Sequence, residues 1–135
     1  MTRKEITVVM VHGAWADGSS WSRVIASLRL NNIKAVTTPL PLTSLTDDVA
    51  ALDRTLDRVD GPVVLVGHAY AGAVIGATRD EKVQALVYVA ALAPAEGQTV
   101  ADVFHMNEPH PKAPKLAPDR HGLIWPGTCW PNRIG

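Results

Sequence analysis

The chain is short of most features that would tie it to a special environment. It has one cysteine, Cys129, so no internal disulfide framework is available and a reducing compartment is the expected setting. No apolar run approaches the roughly 20 residues that span a bilayer, which sets aside a membrane-spanning helix. Excess charge is missing too. Lys and Arg number 13, Asp and Glu number 13, and a formal net charge of zero points to neither a nucleic acid nor a membrane surface as partner. Met1-Thr2-Arg3-Lys4 gives a charged start, but the apolar run from Ile6 to Val11 is too short for the core of a secretory leader. That run also leads into a His-Gly pair rather than a cleavage site. A cytoplasmic address is the expectation. There is no internal repeat and no low-complexity run.

What remains is ordinary for a soluble globular chain: 135 residues, 47% hydrophobic and 19% charged, enough for one domain with a core. Ile6-Thr7-Val8-Val9-Met10-Val11 reads as a buried strand ended by His12-Gly13-Ala14-Trp15. Ser19 or Ser20 is placed to cap a helix in which Trp21, Val24, Ile25 and Leu28 form one apolar stripe, and Asn31-Asn32 stops it. Ile33 to Thr38 is a shorter strand, closed by Pro39 and Pro41. Thr46 is placed to cap a second helix, with Asp47 and Asp48 in its first turn and Val49, Leu52, Leu56 and Val59 as its buried stripe. Val63 to Val66 and Val83 to Ala91 are further strand patterns. Strands alternating with helices predict right-handed βαβ units and a parallel sheet, and the two longest apolar runs need central places in it.

The joint after the third strand is the informative stretch. Val63-Val64-Leu65-Val66 runs into Gly67-His68-Ala69-Tyr70-Ala71-Gly72, and small residues continue through Ala77. Together with His12-Gly13-Ala14-Trp15, the helix opened by Ser20-Trp21, and Leu86-Val87-Tyr88-Val89-Ala90-Ala91, it resembles the N-terminal half of a bacterial α/β-hydrolase. The flavour is that of the esterase-like group, which is also similar to plant methylesterases and hydroxynitrile lyases. The resemblance covers residues 5 to about 125 and implies a three-layer α/β sandwich around a parallel sheet of about four strands, in the order 33–38, 6–11, 63–66, 83–90, a partial α/β-hydrolase fold.

In that family the turn reads Gly-His-Ser-x-Gly-Gly, with the nucleophile on a sharp strand-to-helix elbow. Here Ala69 stands at the nucleophile position and Ala71 replaces a glycine. A methyl group cannot attack a carbonyl, so serine chemistry has no starting atom. Two departures rather than one speak for natural divergence over a knock-out. The resemblance assigns the oxyanion-hole amides to Tyr70 and to Ala14 or Trp15, and these backbone donors do not depend on a serine. It places His12, Gly13, Trp15 and His68 around the substrate, with His12 chiefly shaping its loop and His68 packing beside the elbow. The resemblance to the elbow implies a strained, positive-φ backbone at Ala69, which the small flanking residues Gly67 and Ala71 still allow. No cofactor and no metal are expected, because His105 and His110 have no ligand spacing around them. A small carbonyl compound is the expected ligand.

After Leu92 the character changes. Residues 1–92 read as the hydrolase core and 93–135 as a lid-like or truncated segment carrying seven prolines, at 94, 109, 111, 114, 118, 126 and 131. Its only helical piece lies around Gln98 to Phe104. The acid and the histidine that follow the elbow in the family have no strands here to carry them. Asp119 and His121 have the right order but no nucleophile to activate, and Cys129 beside Trp130 and Pro131 reads as a loose tail thiol. Trp125 to Gly135 continues no hydrolase pattern, which suggests a premature stop or frame change near residue 125. Three readings stay open: an esterase-like hydrolase, a non-catalytic member that binds a small molecule or a partner, and the front half of a longer protein. The apolar strand Val83–Ala90, if left at an edge, also predicts self-association.

Overall fold

Four apolar runs become the four strands of one sheet in the computed structural model, which describes residues 5–112 and 119–121. They are β1 (Thr7–Val11), β2 (Lys34–Thr38), β3 (Val63–His68) and β4 (Val83–Val89). The order is β2-β1-β3-β4 and every pairing is parallel, as expected. A 3-10 turn, Gly18–Trp21, leads into α1 (Ser22–Leu30); α2 (Leu45–Leu56), α3 (Ala71–Ala77) and α4 (Val100–Phe104) complete the helices among the described residues. No described helix is long and apolar enough to cross a membrane.

Strand alternation sorts the side chains into two layers of contact. Val9, Val11, Val63 and Leu65 face Leu52 and Leu56 of α2 and Ala71, Val74 and Ile75 of α3 in the larger core cluster. Met10 and Ala35 face the other way, against Trp21, with Val8, Val66, Ile25 and Leu28 packed around them. Helices therefore flank the sheet on both sides, an α/β sandwich with unequal halves. Val63 and Leu65 are fully buried, whereas Val64 and Val66, on the thinner side, are half-buried.

Three local expectations are corrected. The first helical stretch is capped not by Ser19 or Ser20 but by Asp17, whose carboxylate accepts from the Ser19 amide at 2.8 Å. The second cap is Ser44, not Thr46: Ser44 has the extended backbone of a cap and its hydroxyl accepts from the Asp47 amide at 3.0 Å, while Thr46 lies within α2. In α1 no residue is buried and Val24 is 42% exposed. Trp21, in the turn before the helix, takes the central place against Met10 and Ala35, which leaves Ile25 and Leu28 half-buried beside it.

Residues Met1–Phe104 form one compact unit, α4 included, and His105–Gly135 a second. In the described part of the second unit, the His121 amide donates to Asp119 Oδ1 at 2.8 Å and Arg120 Nε lies 3.0 Å from His121 Nε2. Asp119 and His121 are thus joined through a local turn on the surface, and neither is buried. Cys129 and the stretch from Trp125 to Gly135 lie outside the described residues.

Candidate functional site

The site is built where β3 gives way to α3. Between them Ala69 has φ 53, the left-handed region that costs an alanine roughly 1–2 kcal/mol, and Tyr70 is already helical. Main-chain bonds hold that conformation. The Ala69 carbonyl accepts from Gly72 N at 3.2 Å and Leu92 N at 3.0 Å, and the Ala69 amide points to Val89 O at 3.4 Å. Close approach explains the glycine at 72: a Cβ there would lie 1.9 Å from the Leu92 carbonyl oxygen. At Gly67 a Cβ would meet the Ala71 carbonyl oxygen at 2.9 Å and Ile75 Cδ1 at 3.0 Å.

The His-Gly loop after β1 lies against this turn. A Cβ on Gly13 would sit 3.4 Å from Ala69 Cβ and 3.6 Å from His68 Nδ1. His12 is 2% exposed. Its Nε2 accepts from the Leu40 amide at 3.0 Å and its Nδ1 lies 2.8 Å from the Gly13 carbonyl oxygen, which fixes the neutral tautomer with the proton on Nδ1. Gly13 is buried, Ala14 half-buried and Trp15 exposed. Among the described residues, neither the Ala14 amide nor the Tyr70 amide donates to any acceptor.

His68 closes β3 with its side chain exposed, and its ring meets Trp21 edge-to-face, centroids 6.5 Å apart. It contacts neither His12 nor an acid by any bond among the described residues. The half-buried Tyr70 hydroxyl donates to Asp48 Oδ2 at 2.7 Å, and Asp48 Oδ1 accepts from the Leu42 amide at 2.8 Å. Burial, and then the neighbouring Asp48 carboxyl, push the Tyr70 phenol well above its ordinary range.

Sequence reasoning missed Asp48. An aspartate after another aspartate in a first helical turn reads as a surface charge complementing the helix dipole, yet Asp48 is 1% exposed and braces the elbow. The segment from Leu40 to Leu42 was likewise invisible. It serves His12 through one amide and Asp48 through another, with Leu42 itself at φ 59.

No group of His, Cys, Asp and Glu among the described residues is placed to hold a metal ion. A surface cavity of about 640 Å³ lies elsewhere, at the amino ends of β1 and β2, lined by Thr7, Asn32, Lys34 and Val59 among others. The elbow sits at the opposite, carboxyl end of the strands, so that cavity is not part of this site.

A sequence model of the alpha/beta hydrolase family matches residues 8–133. The chain belongs to that family. The matched stretch runs past residue 125, where the hydrolase pattern stops being legible by eye. Solved hydrolase structures share the fold. A pyrethroid hydrolase from Sphingobium faniae JZ-2 aligns with a TM-score of 0.71 at 22% identity, over 88% of this chain and 54% of its own. A serine-to-alanine variant of the pyrethroid hydrolase PytH aligns with a TM-score of 0.66 at 23% identity, over 78% of this chain and 48% of its own. This alpha/beta hydrolase chain thus spans about half the length of the solved structures it matches. No curated protein shows significant sequence similarity to it.

Proposed function

We propose that this alpha/beta hydrolase family protein is esterase-like by descent and performs no serine-based ester hydrolysis as this chain. One observation carries the reading. The residue at φ 53 on the β3–α3 turn, where the family's elbow holds its nucleophile, is Ala69. Carbon bound to three hydrogens has no lone pair to give, so no acyl-enzyme forms there. The amides of Tyr70 and Ala14, which donate to no acceptor among the described residues, are backbone groups and persist whatever side chain stands at 69. The chemistry left is hydrogen-bond donation to a carbonyl or carboxylate oxygen, that is, non-covalent binding of a small ester or related carbonyl compound in a cytoplasmic setting.

The test is covalent labelling. The full chain, treated with a serine-directed phosphonate and weighed intact, is expected to carry no adduct at residues 69–72, and to hydrolyse an activated ester at the rate of buffer. Ala69→Ser alone is expected not to recover full activity, because His12 is held by Leu40 and Gly13, and among the described residues no acid bonds to His68 to orient it as a base. A stoichiometric adduct on the unmodified chain would refute the reading.

A second reading is favoured by β4, where residues 84 to 89 are all exposed. In it the chain is the front half of a longer hydrolase whose remaining strands lie against β4. Sequencing the DNA after the last codon decides between the two: a strand-and-histidine pattern in any forward frame supports the fragment.

A further inference from the structure

The amides of Ala14 and Tyr70, which donate to no acceptor among the described residues, stand on separate turns of the chain, yet one buried carboxyl group reaches both. The shorter route is direct: Asp48 Oδ2 accepts from the Tyr70 hydroxyl at 2.7 Å. The longer route runs through Leu40-Pro41-Leu42. Asp48 Oδ1 accepts from the Leu42 amide at 2.8 Å, and two residues back the Leu40 amide donates to His12 Nε2 at 3.0 Å. The other ring nitrogen, Nδ1, donates to the Gly13 carbonyl oxygen at 2.8 Å. That carbonyl and the Ala14 N–H belong to one planar peptide group, so a bond on the oxygen orients and polarises the free amide on its far side.

We infer, resting on the proposed two-amide site for a carbonyl oxygen, that Asp48 is the positioning residue that aims both amides. The longer route is stiff enough to carry this. Pro41, with its fixed φ, sits between the two donating amides. Leu42 stands at φ 59, a conformation that a leucine leaves unless held, and the bond from its amide to Asp48 holds it. The bond from Leu40 to His12 is buried, away from water that could replace it. Loss of the Asp48 oxygen lets Leu42 relax, draws the Leu40 amide off the imidazole and frees the Gly13–Ala14 peptide to turn. Shape rather than charge is what the two routes need. Asp48→Asn can still accept from Leu42 through its carbonyl oxygen and donate to the Tyr70 hydroxyl, which serves equally as an acceptor. Asp48→Leu, similar in size, can do neither.

The test is heteronuclear NMR on the full, isotope-labelled chain, titrated with methyl butyrate as the probe. In the unmodified chain the Ala14 and Tyr70 amide resonances are expected to move with the ester, and Asp48→Asn should bind it as well. Asp48→Leu should bind it about tenfold more weakly. Without any ester, the His12 Nε2 and Ala14 amide resonances of Asp48→Leu should be displaced while those of β4 stay, a pattern that a mere loss of stability would not produce. An Asp48→Leu chain that binds like the unmodified one, His12 and Ala14 resonances unmoved in it, or an Asp48→Asn chain as weak as Asp48→Leu would overturn the inference and leave the proposed site standing. Ala14 and Tyr70 resonances that ignore the ester in the unmodified chain would remove the proposed site, and the inference with it. Should Asp48→Leu fail to fold, Tyr70→Phe decides: it cuts the shorter route alone and should weaken binding about threefold. Undiminished binding there would overturn the inference.

Discussion

Tyr70 and Asp48 join the elbow to the second helix: the phenol of the residue just after the turn donates to a fully buried carboxyl group at 2.7 Å. The other oxygen of that carboxyl group holds the Leu42 amide, so two parts of the chain far apart in sequence meet on one side chain.

Removing the phenol tests that bond. Tyr70→Phe keeps the ring and leaves Asp48 Oδ2 without its donor in a buried place, so we expect a loss of about 1–3 kcal/mol in unfolding free energy. Urea denaturation measures it. A change below about 0.5 kcal/mol, the size of an ordinary surface substitution, would mean that water replaces the phenol freely.

The same bond gives an alkaline signature. Because burial and Asp48 raise the phenol above its ordinary value, the folded chain holds this proton more tightly than the unfolded chain. The stabilisation is complete below about pH 10, the ordinary tyrosine value, and is lost as pH climbs through the raised value. Unfolding free energy should therefore fall more steeply above about pH 10 in the unmodified chain than in Tyr70→Phe. Parallel curves for the two proteins would contradict the bond's role.

Two glycines in one helix should behave oppositely. Gly72→Ala drives a Cβ to 1.9 Å from the Leu92 carbonyl oxygen and 2.9 Å from Ala91 Cβ, a clash with backbone that cannot swing away. A loss of about 3 kcal/mol, or failure to fold, is expected. Gly76→Ala meets only the Tyr88 hydroxyl, at 3.2 Å and at the end of a mobile side chain, and gains helix propensity worth up to about 1 kcal/mol. Thermal melts of the two variants compare them directly; equal effects would disprove the close approach at 72.

The parallel sheet was legible in four apolar runs of strand length separated by helical patterns, and its strand order in the resemblance to the α/β-hydrolase family, with the two longest apolar runs needing central places. The left-handed turn at Ala69 was legible because Gly67 to Gly72 resembles the family's strand-to-helix elbow, whose shape is set by the backbone and which small flanking residues allow. Caps were harder. Ser44 and Thr46 carry the same hydroxyl, and only the extended backbone at Ser44 decides between them. Asp48 was harder still. Its neighbour Asp47 stays on the surface, where hydrogen bonds from Thr43 and Ser44 hold its carboxyl below the usual range, while one residue's rotation turns Asp48 inward. Nothing within α2 distinguishes the two; the distinction comes from Tyr70 and Leu42, which reach it from outside the helix.

Among the described residues, every bond that fixes residue 69 runs through peptide groups: its amide to Val89, its carbonyl to Gly72 and Leu92. The side chain there takes no part in holding the turn. Selection for a well-folded chain is consequently blind to what that side chain can do. The backbone at this position can therefore keep its shape while the residue it presents changes.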